Sequence, residues 1–367
     1  MEDLDSPKPC LILRSYLMAT NNHKKTALIL GVTGQDGAHL ADELLSHGWN
    51  VYGGFRRGHS TKLWRLEELG ILDKVNLTNL NLHEPHQVIE IISQIRPNCL
   101  YHFAGESFIA DSFQQPRSMI ETNTLGTLNI LEAIRIFSPE TRLFFSSSAE
   151  VFSSPNAKVL LDENSPMNPS NPYGISKLAA QHLVGVYRER YGLHAVCGIM
   201  FNHEGPLRAR NFVTRKITYH LARMRIDGGP PMQLGAFDAA RDWGSAIDYA
   251  RAIPMTLNVD IPEDFVFATG EETKVRDFLS LSAEFAGFLP IFEGDGQSIT
   301  CRDSKSDQVL ATVSPKYFRP FDTPPLIGNS GRLKQATGFE GSRSISVIAE
   351  EMVKADIQRR KNGLVHV

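Results

Sequence analysis

The sequence is poor in the features that mark several large classes of protein. Its 367 residues hold only four cysteines, Cys10, Cys99, Cys197 and Cys301, all far apart. Without a C-x-x-C pair there is no zinc ribbon and no thioredoxin-like redox centre, and no metal site is expected. Widely spaced thiols fit a reducing, cytoplasmic setting. No apolar run approaches the length of a membrane span, so no transmembrane helix and no membrane partner are expected. Lys plus Arg number 38 against 41 Asp plus Glu, a net charge of -3. That balance lacks the positive excess that drives nucleic-acid binding. It leaves room for a local basic pocket that takes a phosphorylated small molecule. Low-complexity tracts and internal repeats are also missing.

What is present is ordinary globular material: 42% hydrophobic and 22% charged residues, enough for one large or two modest domains. Residues 1–24 start acidic (MEDLDSPKP) and continue into a partly apolar stretch broken by Arg14. A secretory signal wants a basic start, so this segment reads as a polar, disordered extension. From residue 26 onward short β-branched or apolar runs alternate with amphipathic stretches. Strands are predicted at Thr26–Leu30, Asn50–Phe55, 99–104 and 142–147. Helices are predicted at 39–47, 63–69, 88–95 and 125–137. The alternation implies an α/β fold, a doubly wound parallel sheet with helices on both faces. Beyond residue 200 Pro and Gly cluster and the regularity weakens. Residues 25–203 therefore read as a Rossmann-type, doubly wound domain. Residues 204–367 read as mainly a smaller, irregular substrate domain, with some segments returning to the first.

The first strand runs into Gly31-Val-Thr-Gly34-Gln-Asp-Gly37 and then a helix. Glycines at this spacing permit a tight turn and let the backbone approach a pyrophosphate resting on the helix N-terminus. After the second strand, an NAD site wants an acid for the ribose hydroxyl. Here stand Arg56 and Arg57, whose guanidinium forks suit a 2′-phosphate, so the cofactor reads as NADP.

Tyr173-Gly-Ile-Ser-Lys177 has the spacing that puts both side chains on one helical face. An ammonium there lowers the phenol pKa, and the tyrosine can then take a proton from a substrate hydroxyl while hydride leaves for a nicotinamide. Ser148 closes the strand at 142–147 and Glu150 follows two residues on. On an extended chain the two share a face. The hydroxyl suits a hydrogen bond to the substrate oxygen. The carboxylate is superfluous for simple hydride transfer, but it suits removal of a carbon-bound proton next to a new ketone.

At this point the chain resembles the GDP-mannose 4,6-dehydratase family, a branch of the extended short-chain dehydrogenases/reductases. The likeness runs from about residue 25 to 355. It rests on GVTGQDGAHLADELL at 31–45, RRGHSTKLWRLEELGI at 56–71, NPYGISKLAA at 171–180 and FNHEGPLRARNFVTRKIT at 201–218. The resemblance implies a lyase with tightly bound NADP. It would oxidise C4 of a GDP-sugar, remove the C5 proton, expel the C6 hydroxyl and return hydride to C6. It assigns Ser148, Glu150, Tyr173 and Lys177 to catalysis. The cofactor would meet Gly31, Gly34, Gln35, Asp36, Gly37, Arg56, Arg57, Asn81, Leu82, Ser107, Tyr173, Lys177, His203 and Arg208. The GDP-sugar would meet Asn202, Val213, Lys216, Arg241, Arg276 and Arg319. It also implies a homo-oligomer, a dimer or tetramer. Several positions depart from the family pattern: Ser148 and Ala149, Asn81, Gly105-Glu106, and Gly205 where the family carries Ser. The departures at 148 and 149 leave open a C4 epimerase, reductase or dehydrogenase on the same fold.

Overall fold

The structure, a computed structural model, describes residues 24–56, 63–152, 159–317 and 325–364. The expectation for residues 1–24 falls outside these apart from Lys24, as do the assignments of Arg57 and Arg319.

Seven described strands form one parallel sheet: β1 (Thr26–Leu30), β2 (Asn50–Phe55), β3 (Asn76–Asn79), β4 (Cys99–His102), β5 (Arg142–Ser146), β6 (Ala195–Met200) and β7 (Asp264–Phe267). Their spatial order is β7-β6-β5-β4-β1-β2-β3. The doubly wound sheet is therefore as the alternation implied. Both faces are covered, and β1 illustrates why its sequence is continuously apolar. Ala27 and Ile29 enter the core on one face, Leu28 and Leu30 the core on the other. The chain winds outward from β1 in both directions, so a crevice opens beyond the carboxyl ends of β1 and β4.

Three sheet strands, β3, β6 and β7, were not predicted. In β3 the sequence Asn-Leu-Thr-Asn is polar because this is an edge strand. The six buried residues of β6 form a short apolar run, which periodicity cannot tell from a helix. In the predicted strands the ends shift by at most two residues, β4 stopping at His102 and β5 at Ser146, whereas the helices predicted from 39 and 88 start earlier, at Gln35 and Pro85.

A second, smaller unit packs the helices Val213–Asp227, Val275–Phe285 and Ile345–Lys361 against a four-stranded sheet. Its core is separate, built on Ile217, Leu221, Phe278, Leu279, Ile348 and Met352. The spacings 217/221 and 348/352 place these side chains one helical turn apart. A buried ion pair anchors this unit from within: Arg215 Nε donates to both carboxylate oxygens of Asp356, at 2.8 and 2.9 Å. Arg359 then reaches Glu68 in the first unit and ties the two together.

Candidate active site

The turn after β1 works only with glycine at two positions. Gly31 has φ +88°, and a Cβ there would lie 2.8 Å from the Ala104 backbone nitrogen beyond β4. A Cβ on Gly37 would fall on the Gly31 carbonyl oxygen. The loop therefore closes tightly and hands the chain to the helix Gln35–Ser46. Its first turn borders a cavity of about 460 Å³ at the switch point of the sheet. The cavity gathers Arg56 at the end of β2, Asn81 and Leu82 beyond β3, and Ser107 beyond β4. Ser148, Glu150, Tyr173, Lys177, Asn202, His203 and Arg208 complete it. Every described residue expected at the cofactor thus lines one space, as do the four expected catalytic residues.

Helix Pro172–Tyr191 carries the tyrosine and lysine. Asn171 caps it, its Oδ1 accepting from the Gly174 N–H at 2.8 Å, and Pro172 fills the first helical position. Tyr173 and Lys177 are one turn apart and both buried. The expected lowering of the phenol pKa is not what the protein alone provides. Burial pushes Tyr173 up to about 12, and a side-chain hydrogen bond with Ser148 only partly opposes this. Lys177 directs its ammonium at the Ser146 carbonyl, 2.8 Å away, rather than at the phenol. Burial lowers Lys177 to about 8.

Ser148 and Glu150 reach the same cavity by a different route from the one expected. The chain leaves the extended conformation at Ser148 and turns through a short 3₁₀ segment, Ala149–Val151. Ser148 Oγ caps that turn by accepting from the Glu150 N–H at 3.2 Å. A tight turn, not strand alternation, brings hydroxyl and carboxylate together. Asn171 Nδ2 then donates to Glu150 Oε2 at 2.8 Å. One asparagine therefore starts the Tyr/Lys helix and fixes the carboxylate. The Asn-Pro pair signals a helix start in the sequence, but its hold on Glu150 crosses 21 positions and carries no local signal.

Two further residues were missed by sequence reasoning. Asn123 Oδ1 accepts from the Glu106 N–H at 3.0 Å, and its Nδ2 donates to the Glu106 carbonyl and to Ser176 Oγ, also at 3.0 Å. It pins the loop beyond β4 to the helix that bears Tyr173 and Lys177. Arg65, almost fully buried, donates to the carbonyls of Thr33 in the glycine loop and Leu207, at 3.0 and 2.7 Å. Both make long-range contacts to backbone, which no spacing rule reveals.

Opposite charges line the loop side. His203 Nε2 and Asp36 Oδ1 are 2.9 Å apart. Burial alone would raise Asp36, but the His203 charge and hydrogen bond, the Arg208 charge and the Gln35 hydrogen bond together outweigh it and hold the carboxyl well below its usual range. Burial likewise works to lower His203, and Asp36 reverses the sign and raises it. Arg208 lies 3.1 Å from Glu204 and stacks on the Phe212 ring, 3.7 Å from its centroid. Guanidinium groups at Arg56, Arg65 and Arg208, with the glycine cradle, match the needs of a phosphorylated dinucleotide.

The expected GDP-sugar residues divide. Asn202 lines the cavity, while Val213, Lys216, Arg241 and Arg276 do not. They belong to the second unit. Lys216 donates to the Gln233 carbonyl at 2.6 Å and lies over the Tyr317 ring. Arg276 pairs with Asp238 at 3.0 Å. Arg241 sits in the short ladder with Thr273 that begins the helix bearing Arg276.

Comparison with known proteins follows the same lines. The family model described as GDP-mannose 4,6 dehydratase matches residues 28–352. The GDP-mannose 4,6-dehydratase of Sinorhizobium fredii is 37% identical over 341 residues, covering 91% of this chain and 97% of its own. That of Yersinia enterocolitica is 35% identical over 354 residues, covering 92% and 95%. Among solved structures, RMD from Pseudomonas aeruginosa, complexed with NADPH, superposes with a TM-score of 0.72 at 21% identity, covering 92% of this chain and all of that one. At that identity the superposition speaks for the extended Rossmann fold alone. The match over nearly the whole length places this chain in the GDP-mannose 4,6-dehydratase family.

Proposed function

We propose that this protein dehydrates GDP-mannose, or a closely related GDP-sugar, to the 4-keto-6-deoxy product with NADP as its resident cofactor. The observation that carries this reading is Glu150, held by Asn171 beside Ser148 and Tyr173 in the cavity that the glycine loop borders. When bound, NADP supplies the acceptor for the C4 hydride and returns it to C6. Tyr173 exchanges the proton of the C4 hydroxyl, and Ser148 shares a hydrogen bond with the same oxygen. Lys177 stays charged at neutral pH, below its lowered pKa of about 8, and keeps a cation one turn from the phenol. Glu150 takes the C5 proton once the C4 ketone has acidified it and passes it to the C6 hydroxyl, which leaves as water, and the proton held by Tyr173 returns to C5 as hydride returns to C6. A C4 epimerase would need no such carboxylate.

In this reading residues 25–203 are the cofactor half and 204–367 mainly the substrate half. Asn202, Val213, Lys216, Arg241, Arg276 and Arg319 take the GDP moiety, the cations matching its diphosphate. Arg56 and Arg57 take the 2′-phosphate of NADP. A cytoplasmic location accords with the buried free thiols of Cys99, Cys197 and Cys301, and no described helix is long and apolar enough to cross a membrane. A homo-oligomer accords with an apolar stripe across two adjoining helices. Leu125 and Ile136, and likewise Ile175 and Val186, are each eleven residues or about three turns apart, and all are about half exposed. Thr124 bonded to Ser176, and Tyr187 to Glu132, hold the two helices side by side.

Mass spectrometry of GDP-mannose incubated with the protein tests the reaction. A product lighter by one water supports the dehydratase. A product of unchanged mass assigns the epimerase instead.

A further inference from the structure

On the glycine-loop side of the cavity, two buried polar atoms converge on one glycine. Gln35 and His39 are one turn apart on the first helix, and both are more than nine-tenths buried. Neither Gln35 Oε1 nor His39 Nε2 has a hydrogen-bond partner among the described residues. Both face Gly205. A Cβ built there would stand 3.7 Å from His39 Nε2 and 3.8 Å from Gln35 Oε1. Ala246 Cβ, 3.7 Å away, closes the apolar side. These are ordinary contact distances, and Gly205 is not among the residues of positive φ, so its backbone does not demand glycine.

The amide of Gln35 cannot turn over to relieve the mismatch. Its Nε2 donates to the His203 carbonyl at 3.1 Å and to Asp36 Oδ1 at 3.3 Å. Reversal would set an oxygen against both acceptors. Oε1 is therefore fixed toward Gly205, and a buried acceptor fixed in that way calls for a donor.

We propose that the space over Gly205 is a binding site for a single water molecule, which donates to Gln35 Oε1 and shares a second hydrogen bond with His39 Nε2. Two unpartnered polar atoms converging on one position supply the hydrogen-bond partners that an internal water needs. Burial lowers His39 to about 4, so its ring is neutral in working conditions and Nε2 serves as donor or acceptor by choice of tautomer. The water acts through Gln35. It orients the amide that braces Asp36 and His203, the charged pair at the edge of the cofactor loop. Gln35 and His39 are thus positioning residues for that loop.

The test compares Gly205→Ser with Gly205→Ala. Both remove the same glycine freedom from the unfolded chain, so their difference isolates the hydroxyl. The serine oxygen, one bond beyond the Cβ position, takes the place of the water. The alanine methyl displaces the water and leaves both atoms unsatisfied. In urea unfolding of the chain without added nucleotide, the serine variant should match or exceed the parent. The alanine variant should have a folding equilibrium constant roughly five- to tenfold below that of serine, the worth of one buried hydrogen bond. Equal constants for the two would overturn the site. A crystal structure gives the second reading. A water within hydrogen-bond distance of both atoms supports it, and a direct Gln35–His39 contact with nothing over Gly205 overturns it. Neither measurement depends on turnover, so the dehydratase reading and the water site stand or fall separately.

Discussion

Replacing Lys177 with Met should abolish turnover and yet stabilise the protein at neutral pH. The ammonium is buried, and burial lowers its pKa from 10.5 to about 8, with the Asp36 and Cys197 charges opposing only in part. At pH 7 the folded state therefore holds a charge that the unfolded chain carries more cheaply. The difference of about 2.5 units corresponds to roughly 3 kcal/mol. Met keeps the length and removes that penalty. It also removes the 2.8 Å hydrogen bond to the Ser146 carbonyl, a loss of about 1 kcal/mol. A net gain of about 1–2 kcal/mol remains. The pH dependence carries the sign. A lysine whose folded pKa is depressed gives full stability above the unfolded value of 10.5 and loses it as pH falls through the folded value of about 8. Native protein should therefore gain stability from pH 8 toward 10.5, while the Met variant gains none from this site. Urea unfolding of both, free of nucleotide, at pH 7 and pH 9.5 reads the effect. The variant should be ahead at pH 7 and should lose most of its lead at pH 9.5. A variant less stable at pH 7, or a gap that does not change with pH, would refute the reasoning.

Four other outcomes are expected. Glu150→Gln should lower product formation by ~10²–10⁴-fold with little change in KM, because the amide still accepts from Asn171 but takes no proton. Reduced nicotinamide should then accumulate in single-turnover absorbance, and its failure to do so with dehydration intact removes Glu150 from the mechanism. Asn171→Ala should cost about 1 kcal/mol of stability through the lost cap and also lower kcat, whereas Asn171→Asp should restore the cap but not the rate; equal recovery of both would dissociate Asn171 from Glu150. Arg56→Ala should weaken NADP far more than NAD in fluorescence titration, and equal weakening would take the 2′-phosphate away from this residue. Leu125→Asp with Val186→Asp should shift light scattering to a smaller species if two copies meet across the helical stripe, and an unchanged mass would place the interface elsewhere.

The sequence by itself determined the layout. Short apolar runs alternating with amphipathic stretches pointed to inner strands of a parallel sheet, and Gly31 and Gly37 stand where the backbone closes on itself without room for a Cβ. The Tyr173/Lys177 pair needed only helical periodicity, and the glycine loop only its position between strand and helix. These are local properties, set by neighbours within a turn. Tertiary structure decided the rest. Whether Tyr173 sits above or below its ordinary pKa depends on burial, and burial pushed it up to about 12 where spacing alone argued for a decrease. Ser148 and Glu150 meet through a 3₁₀ turn that the extended reading of 148–150 did not contain. Asn171, Asn123 and Arg65 act on groups up to 142 positions away, mostly through backbone atoms that look the same at every residue. Desolvation and long-range hydrogen bonding arise only when distant segments pack together, so no pattern along the chain records them.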